Sequence, residues 1–88
     1  MLVHVTQSHI ERGKPGFKDK CPVALALAEM GYETVSVERR ISLTKGNQCY
    51  TYYAPEEVCT WIEEFDQEHR GEPFTFMLDE PIRYGRLR

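Results

Sequence analysis

The sequence predicts an α+β domain in which two helices cover one face of a four-stranded antiparallel sheet. A chain of 88 residues with 41% hydrophobic residues has room for one modest core. Residues 21–31 and 55–70 have helical patterns, and the segments around them alternate with the period of two that strands show. The resulting order, βαββαβ, is that of a ferredoxin-like two-layer sandwich. Another two-layer α+β packing with a different strand order is the alternative.

The first elements are a short strand and a single helical turn. Residues 2–6 alternate apolar and polar side chains, as a strand with one buried face does. Thr6 can cap a helical turn over 7–12, which Gly13 would close. A basic loop follows over 12–20, so the chain reaches its next helix through a glycine-bearing, lysine-rich segment.

Residues 21–31 predict the central helix. Pro22 suits a first helical position, and Gly31 suits the residue after the last. Apolar residues occupy nearly every face, because Glu29 is the one charged residue between these two. A helix of this kind is usually covered on more than one side. Either the rest of the chain wraps around it or a second subunit covers it, and we expect a homo-oligomer, most simply a dimer.

The middle of the chain predicts two strands joined by a turn. Residues 33–44 keep their apolar residues on one parity, which predicts one long, half-buried strand. Arg39 interrupts this parity, which a bulge or a position past the sheet edge would explain. The turn at 45–47 leads to a tyrosine-rich return strand at 48–54.

The C-terminal third predicts a second helix and a last strand. Residues 55–70 carry an apolar stripe on one face and an acidic face opposite. Residues 74–78 then form a strand, which completes a single domain over 1–78. The basic segment 79–88 has weak periodicity, and we expect a flexible tail.

Composition excludes several classes of protein. The net charge of −3 argues against a general nucleic-acid coat protein, which would be basic. There is no apolar run of the roughly 18 residues that span a bilayer, and the first residues lack a signal-peptide pattern. The three cysteines, Cys21, Cys49 and Cys59, form no C-x-x-C pair, which favours reduced thiols. We therefore expect a cytoplasmic protein.

Several short motifs resemble those of a group of small uncharacterised proteins encoded by tailed bacteriophages. The shared features are the histidine-valine-threonine opening at His4–Thr6, the glycine-bearing loop at Gly13–Gly16 and the helix start at Cys21–Leu25. An acidic, tryptophan-bearing helix and the segment EPFTFML complete the resemblance. It implies a phage setting, in which small accessory proteins often block host defences, and it implies no particular activity.

The basic loop and the start of the central helix form the candidate site. Free N–H groups and the positive end of the helix dipole favour an anion at a helix N-terminus. Glycines allow the backbone to approach a ligand, and arginines at the predicted bulge can pair with phosphates. The residues predicted to bind an anion are Arg12, Gly13, Lys14, Gly16, Lys18, Lys20, Cys21, Val23, Ala24, Arg39 and Arg40.

Catalytic and metal chemistry find little support in the sequence. His4, His9 and Cys21 match no zinc spacing. Cys21 could be a reactive thiol, since a helix N-terminus and nearby lysines lower a thiol pKa, or it could simply join loop to helix. His9 is a conceivable base for it, but no orienting carboxylate is evident. We therefore predict a protein that is not an enzyme, with no metal and no cofactor.

Three functions remain as hypotheses. The first is a non-enzymatic binder that sequesters a small anionic ligand, such as a nucleotide immune signal, and so blocks host defence. The second is an inhibitor that binds a host or defence protein through the acidic helix 56–68 or a sheet edge. The third is a nucleic-acid binder that uses the tyrosine strand as a stacking platform, which the net negative charge disfavours.

Overall fold

The computed structural model describes residues 1–86, which form three helices and six strands. The strands form two antiparallel sheets. This confirms the α+β class. One sheet pairs the first and fifth strands, and in the other the second, third, fourth and sixth strands lie side by side in that order. None of the helices in the described range is long and apolar enough to cross a membrane. The elements are β1 (Leu2–Val5), α1 (Gln7–Arg12), α2 (Pro22–Glu29), β2 (Thr34–Val37), β3 (Arg40–Lys45), β4 (Gln48–Tyr53), α3 (Glu56–Glu68), β5 (Phe74–Met77) and β6 (Arg83–Arg86).

The arrangement of the strands differs from the predicted single sheet. In a ferredoxin-like sheet β1 would lie between β5 and β4, but here β1 pairs with β5 in a separate two-stranded sheet. The position beside β4 is taken by β6, with Thr51 opposite Arg83 and Gln48 opposite Arg86. The segment predicted as a flexible tail therefore supplies a strand, and residues 87–88 of that segment lie outside the described range.

The predicted long strand over 33–44 is a hairpin. β2 and β3 pair so that Val37 lies opposite Ile41 and Val35 lies opposite Leu43. Because odd positions pair with odd positions, the apolar alternation continues unbroken through the turn. Arg39 lies in this turn, where its carbonyl accepts a hydrogen bond from the Ala54 N–H at 2.9 Å.

The chain itself covers the central helix. Most of the apolar residues of α2 are buried, and the helix packs against α1, β1 and β2. Val23 and Leu27 are completely buried, whereas Ala28 and Glu29 face solvent. The all-round apolar character of the helix thus reflects cover from several elements of one chain. A homo-oligomer is not required to explain this helix and stays a prediction.

The amphipathic pattern of α3 is confirmed. Val58 and Phe65 are buried on its inner side, and an aromatic stack connects the helix to β5. The ring of Trp61 lies 5.4 Å from that of Phe65 and 4.8 Å from that of Phe74. Trp61 also donates a hydrogen bond through Nε1 to the carbonyl of Glu72 at 2.9 Å. The stack fixes α3 against the two-stranded sheet.

Candidate functional site

The basic loop before α2 is a closed turn whose backbone groups bond within the protein. The N–H of Lys14 donates to the carbonyl of Lys20 at 2.9 Å, and the N–H of Cys21 donates to the carbonyl of Phe17 at 3.0 Å. The carbonyl of Lys18 accepts from the N–H of Val37 at the edge of β2 at 2.8 Å. The loop is therefore built into the fold and is not an open cradle.

The glycines of the loop serve packing and turn geometry. A Cβ placed on Gly13 would lie 2.6 Å from the Cδ and Cγ of Pro22 and 2.7 Å from its nitrogen. Gly13 is therefore the residue that lets the loop cross the start of α2. Gly16 has φ +81° with open space around it, which a residue with a side chain rarely adopts. Neither observation requires a ligand.

The N-terminus of α2 is closed to solvent. Pro22, Val23 and Ala24 are all buried, so the amides predicted to bind an anion do not line a surface. Burial raises the pKa of the Cys21 thiol, although the neighbouring amides of Val23 and Ala24 partly oppose this effect. Asp66 adds to the increase in the pKa. Cys21 is thus a buried thiol at neutral pH, as at a simple loop-to-helix junction.

The cleft beside the loop has an acidic lining. It encloses about 230 Å³ and includes Lys18, Cys21, Glu38 and Asp66 in its wall. Asp66 accepts a hydrogen bond from the Gly16 N–H through Oδ1 at 2.8 Å. Two carboxylates at this position disfavour an anion. The lysines 14, 18 and 20 are exposed, and the Nζ of Lys20 lies 5.6 Å from the ring centre of Phe17.

A second cleft lies on the outer face of the larger sheet, and unlike the cleft beside the loop its described lining has no carboxylate. The buried face of β3 carries Ile41 and Leu43, so the residues between them point to the opposite, solvent-facing side. There Ser42 lies opposite Thr51, and Thr51 lies opposite Arg83. We call this cleft, of about 370 Å³, the sheet-face cleft; its lining is Arg40, Ser42, Thr51, Tyr53, Ile82 and Arg83.

The electrostatics of the sheet-face cleft favour an anion. Its lining within residues 1–86 has two arginines and no carboxylate. Among the ion pairs of the described residues, none involves Arg40 or Arg83. The guanidinium carbon of Arg40 lies 5.7 Å from the ring centre of Tyr53, on the opposing strand. The two guanidinium groups and the three hydroxyls of the lining form a set of donors suited to a phosphate or carboxylate.

One predicted site residue lies in this cleft. Arg40 lines it, while Arg39 lies in the β2–β3 turn and is absent from its lining. Arg12 is also absent from the lining, and its guanidinium lies 3.7 Å from the Glu29 carboxylate. The sequence reasoning missed Arg83 because it assigned this residue to a tail. Ser42 and Thr51 were missed because hydroxyls on the outer face of a strand are common.

His9 is a buried structural residue. Its Nδ1 accepts the N–H of Thr6 at 2.9 Å, which completes the cap of α1. The proton therefore resides on Nε2, which donates to Glu29 at 3.1 Å. His9 thus connects α1 to α2 and is not a base for Cys21. Within residues 1–86, no three His, Cys, Asp or Glu side chains are grouped as a metal site would require.

The C-terminal part of α3 and the segment that follows it form an acidic cleft. It measures about 390 Å³, and Trp61 forms part of its wall. Three of its six lining residues are glutamates, so a cationic group is the complementary partner. A further depression along the same helix shares Trp61 and Glu64. The acidic cleft is lined by Trp61, Glu64, Glu68, Arg70, Gly71 and Glu72.

Comparison with known proteins leaves the site geometry as the guide to function. No family model, curated protein or solved structure matches this chain.

Proposed function

We propose that this chain is a non-enzymatic binding protein that sequesters a small anionic ligand in the sheet-face cleft. The observation that supports this proposal is the placement of Arg40 and Arg83, which share one cleft with three hydroxyls and no carboxylate. Their guanidinium groups have no ion-pair partner within residues 1–86, so an anion would satisfy donors that otherwise bond to water. Binding alone requires no acid, base or nucleophile.

The biological use follows from the resemblance to small proteins of tailed bacteriophages. A phage accessory protein that removes a nucleotide immune signal from the host cytoplasm would block the defence that depends on this signal. Such a protein needs affinity for the signal and no turnover. The lining within residues 1–86 comes from one chain, so the proposal does not depend on a dimer.

Arg83→Ala is the variant that tests the proposal. Loss of one charge-assisted partner of a phosphate should weaken binding about 10- to 100-fold. Isothermal titration with inorganic phosphate and with a panel of nucleotides measures this change. Arg86→Ala is the matched control, since Arg86 lies on the same strand but does not line the cleft. We expect the control to bind as the natural chain does.

Two outcomes of this titration would contradict the proposal. One is the absence of binding by any anion at millimolar concentration. The other is unchanged binding in Arg83→Ala together with lost binding in a variant with Lys14, Lys18 and Lys20 replaced by alanine. The second result would return the site to the basic loop.

Inhibition of a protein partner through the acidic cleft is the second candidate function. It is favoured by the position of Trp61, a large aromatic side chain in a wall that carries three glutamates. A basic segment of a host or defence protein would fit this charge. Capture of that partner should be lost in a Glu64→Lys, Glu68→Lys variant. It should persist in Glu63→Lys, on the same helix but outside the cleft lining.

A further inference from the structure

We infer that the ligand of the sheet-face cleft is a nucleoside monophosphate, with one terminal phosphate and one aromatic base. This inference rests on the proposed function and specifies its ligand class. Three properties of the cleft lead to this inference: the number of its positive charges, its volume, and the position of the exposed Tyr53 relative to Arg83 on the neighbouring strand.

The charge of the cleft matches a single terminal phosphate. Arg40 and Arg83 provide two positive charges, and the lining within residues 1–86 provides no negative one. A terminal phosphate carries between one and two negative charges at neutral pH. A triphosphate would bring further charges for which this lining has no partner.

The size of the cleft sets a similar limit. Small-molecule sites usually measure about 300–1,000 Å³, and the volume here is about 370 Å³. This volume lies near the lower end of that range. One nucleotide unit is therefore a better match than a dinucleotide.

An exposed aromatic ring lies at one end of the cleft. Tyr53 is 62% exposed, and none of the ring pairs within residues 1–86 includes it. The Arg40 guanidinium lies over one face of the ring, 5.7 Å from its centre, so a base would stack on the other face. Ile82, which is 46% exposed, adds apolar surface to the lining. A flat base can stack on a tyrosine whatever its identity. An inorganic anion would leave this surface unused.

The register places the aromatic and phosphate groups at a defined separation. Tyr53 and Thr51 lie on the same side of β4, two residues apart, which is about 7 Å along a strand. Thr51 pairs with Arg83, and Tyr53 pairs with Arg40. A ligand that uses both pairs extends along β4, with its phosphate at the Thr51–Arg83 end and its base at the Tyr53–Arg40 end. Arg83 then binds the phosphate directly, and Arg40 adds its positive charge from the neighbouring pair. A nucleoside 5′-monophosphate has this division between its two ends.

The test is a calorimetric comparison of five probes with the full chain: AMP, UMP, ATP, ribose 5-phosphate and a six-nucleotide DNA single strand. We expect AMP or UMP to bind about tenfold or more tightly than ribose 5-phosphate, because stacking on Tyr53 adds to phosphate binding. Tyr53→Ala should remove this difference, and Tyr53→Phe should keep it.

Tyr84→Ala is the matched control for loss of an exposed aromatic ring. Tyr84 is 59% exposed on β6, and its ring lies 5.1 Å from that of Tyr50, outside the cleft lining. We expect all five affinities to be unchanged in this variant.

Four results would overturn the inference, and they separate it from the proposed function. Equal affinity for ribose 5-phosphate and both nucleotides would leave an anion binder without a base site. ATP binding more than about tenfold more tightly than AMP would contradict the single phosphate. Preference for the DNA strand would indicate a nucleic-acid surface. Failure of every probe to bind would remove the proposed function as well.

Discussion

Leu27→Ala is expected to lower the free energy of unfolding by about 2–5 kcal/mol. Leu27 is completely buried, on a helix that packs against α1, β1 and β2. Removing its side chain leaves a cavity whose walls belong to several elements, so no single element can move to fill it. Urea denaturation followed by circular dichroism measures the loss.

Met30→Ala is the matched control for Leu27→Ala. Met30 follows the same helix and is 41% exposed, so we expect a change below about 1 kcal/mol. The predicted oligomer is tested separately by the dependence of the unfolding midpoint on protein concentration. A midpoint that rises with concentration would support the oligomer, and a constant midpoint would contradict it.

Gly13→Ala is expected to destabilise the protein by about 1–3 kcal/mol. The added Cβ would lie within 2.7 Å of three atoms of Pro22, including its backbone nitrogen. Neither a proline ring nor a helix backbone can rotate away, so the loop and the start of α2 must separate. Thermal and urea unfolding of the variant measure the cost.

Gly85→Ala is the control for the effect of glycine replacement itself. Its added Cβ would be in ordinary contact with the Sγ of Cys49 at 3.6 Å, and we expect a change within about 0.5 kcal/mol. Equal stability of the two variants would show that Gly13 is not confined by Pro22. It would reopen the interpretation of this glycine as part of a ligand cradle.

Local sequence patterns predicted an element correctly where one face of that element is buried. The stripe of α3 was visible because residues such as Val58 and Phe65 recur at helical spacing and are buried. The Lys45–Asn47 turn was visible because Gly46 carries the positive φ, +61°, that such turns need. The β2–β3 hairpin was not visible. Its register preserves parity across the turn, and no glycine, proline or asparagine marks residues 38–40.

Strand β6, and the candidate site that includes Arg83 on it, could not be predicted from the sequence alone. In β6, Arg83, Tyr84 and Arg86 are exposed, so no apolar alternation marks the strand. The basic loop has the composition of an anion site, but residues distant in sequence determine the charge of its surroundings. Asp66 bonds to Gly16 from α3, 50 residues away. Charge along a segment does not reveal the carboxylates that the fold places beside it.

The most direct test of the central claim is an amide-resolved NMR titration of the full chain with AMP. We predict that the largest shift changes fall on Ser42, Thr51 and Arg83, at the sheet-face cleft. The amides of Lys18 and Ala24, at the basic loop and the start of α2, should stay unchanged. Changes centred on that loop, with the β3, β4 and β6 amides unaffected, would contradict the account.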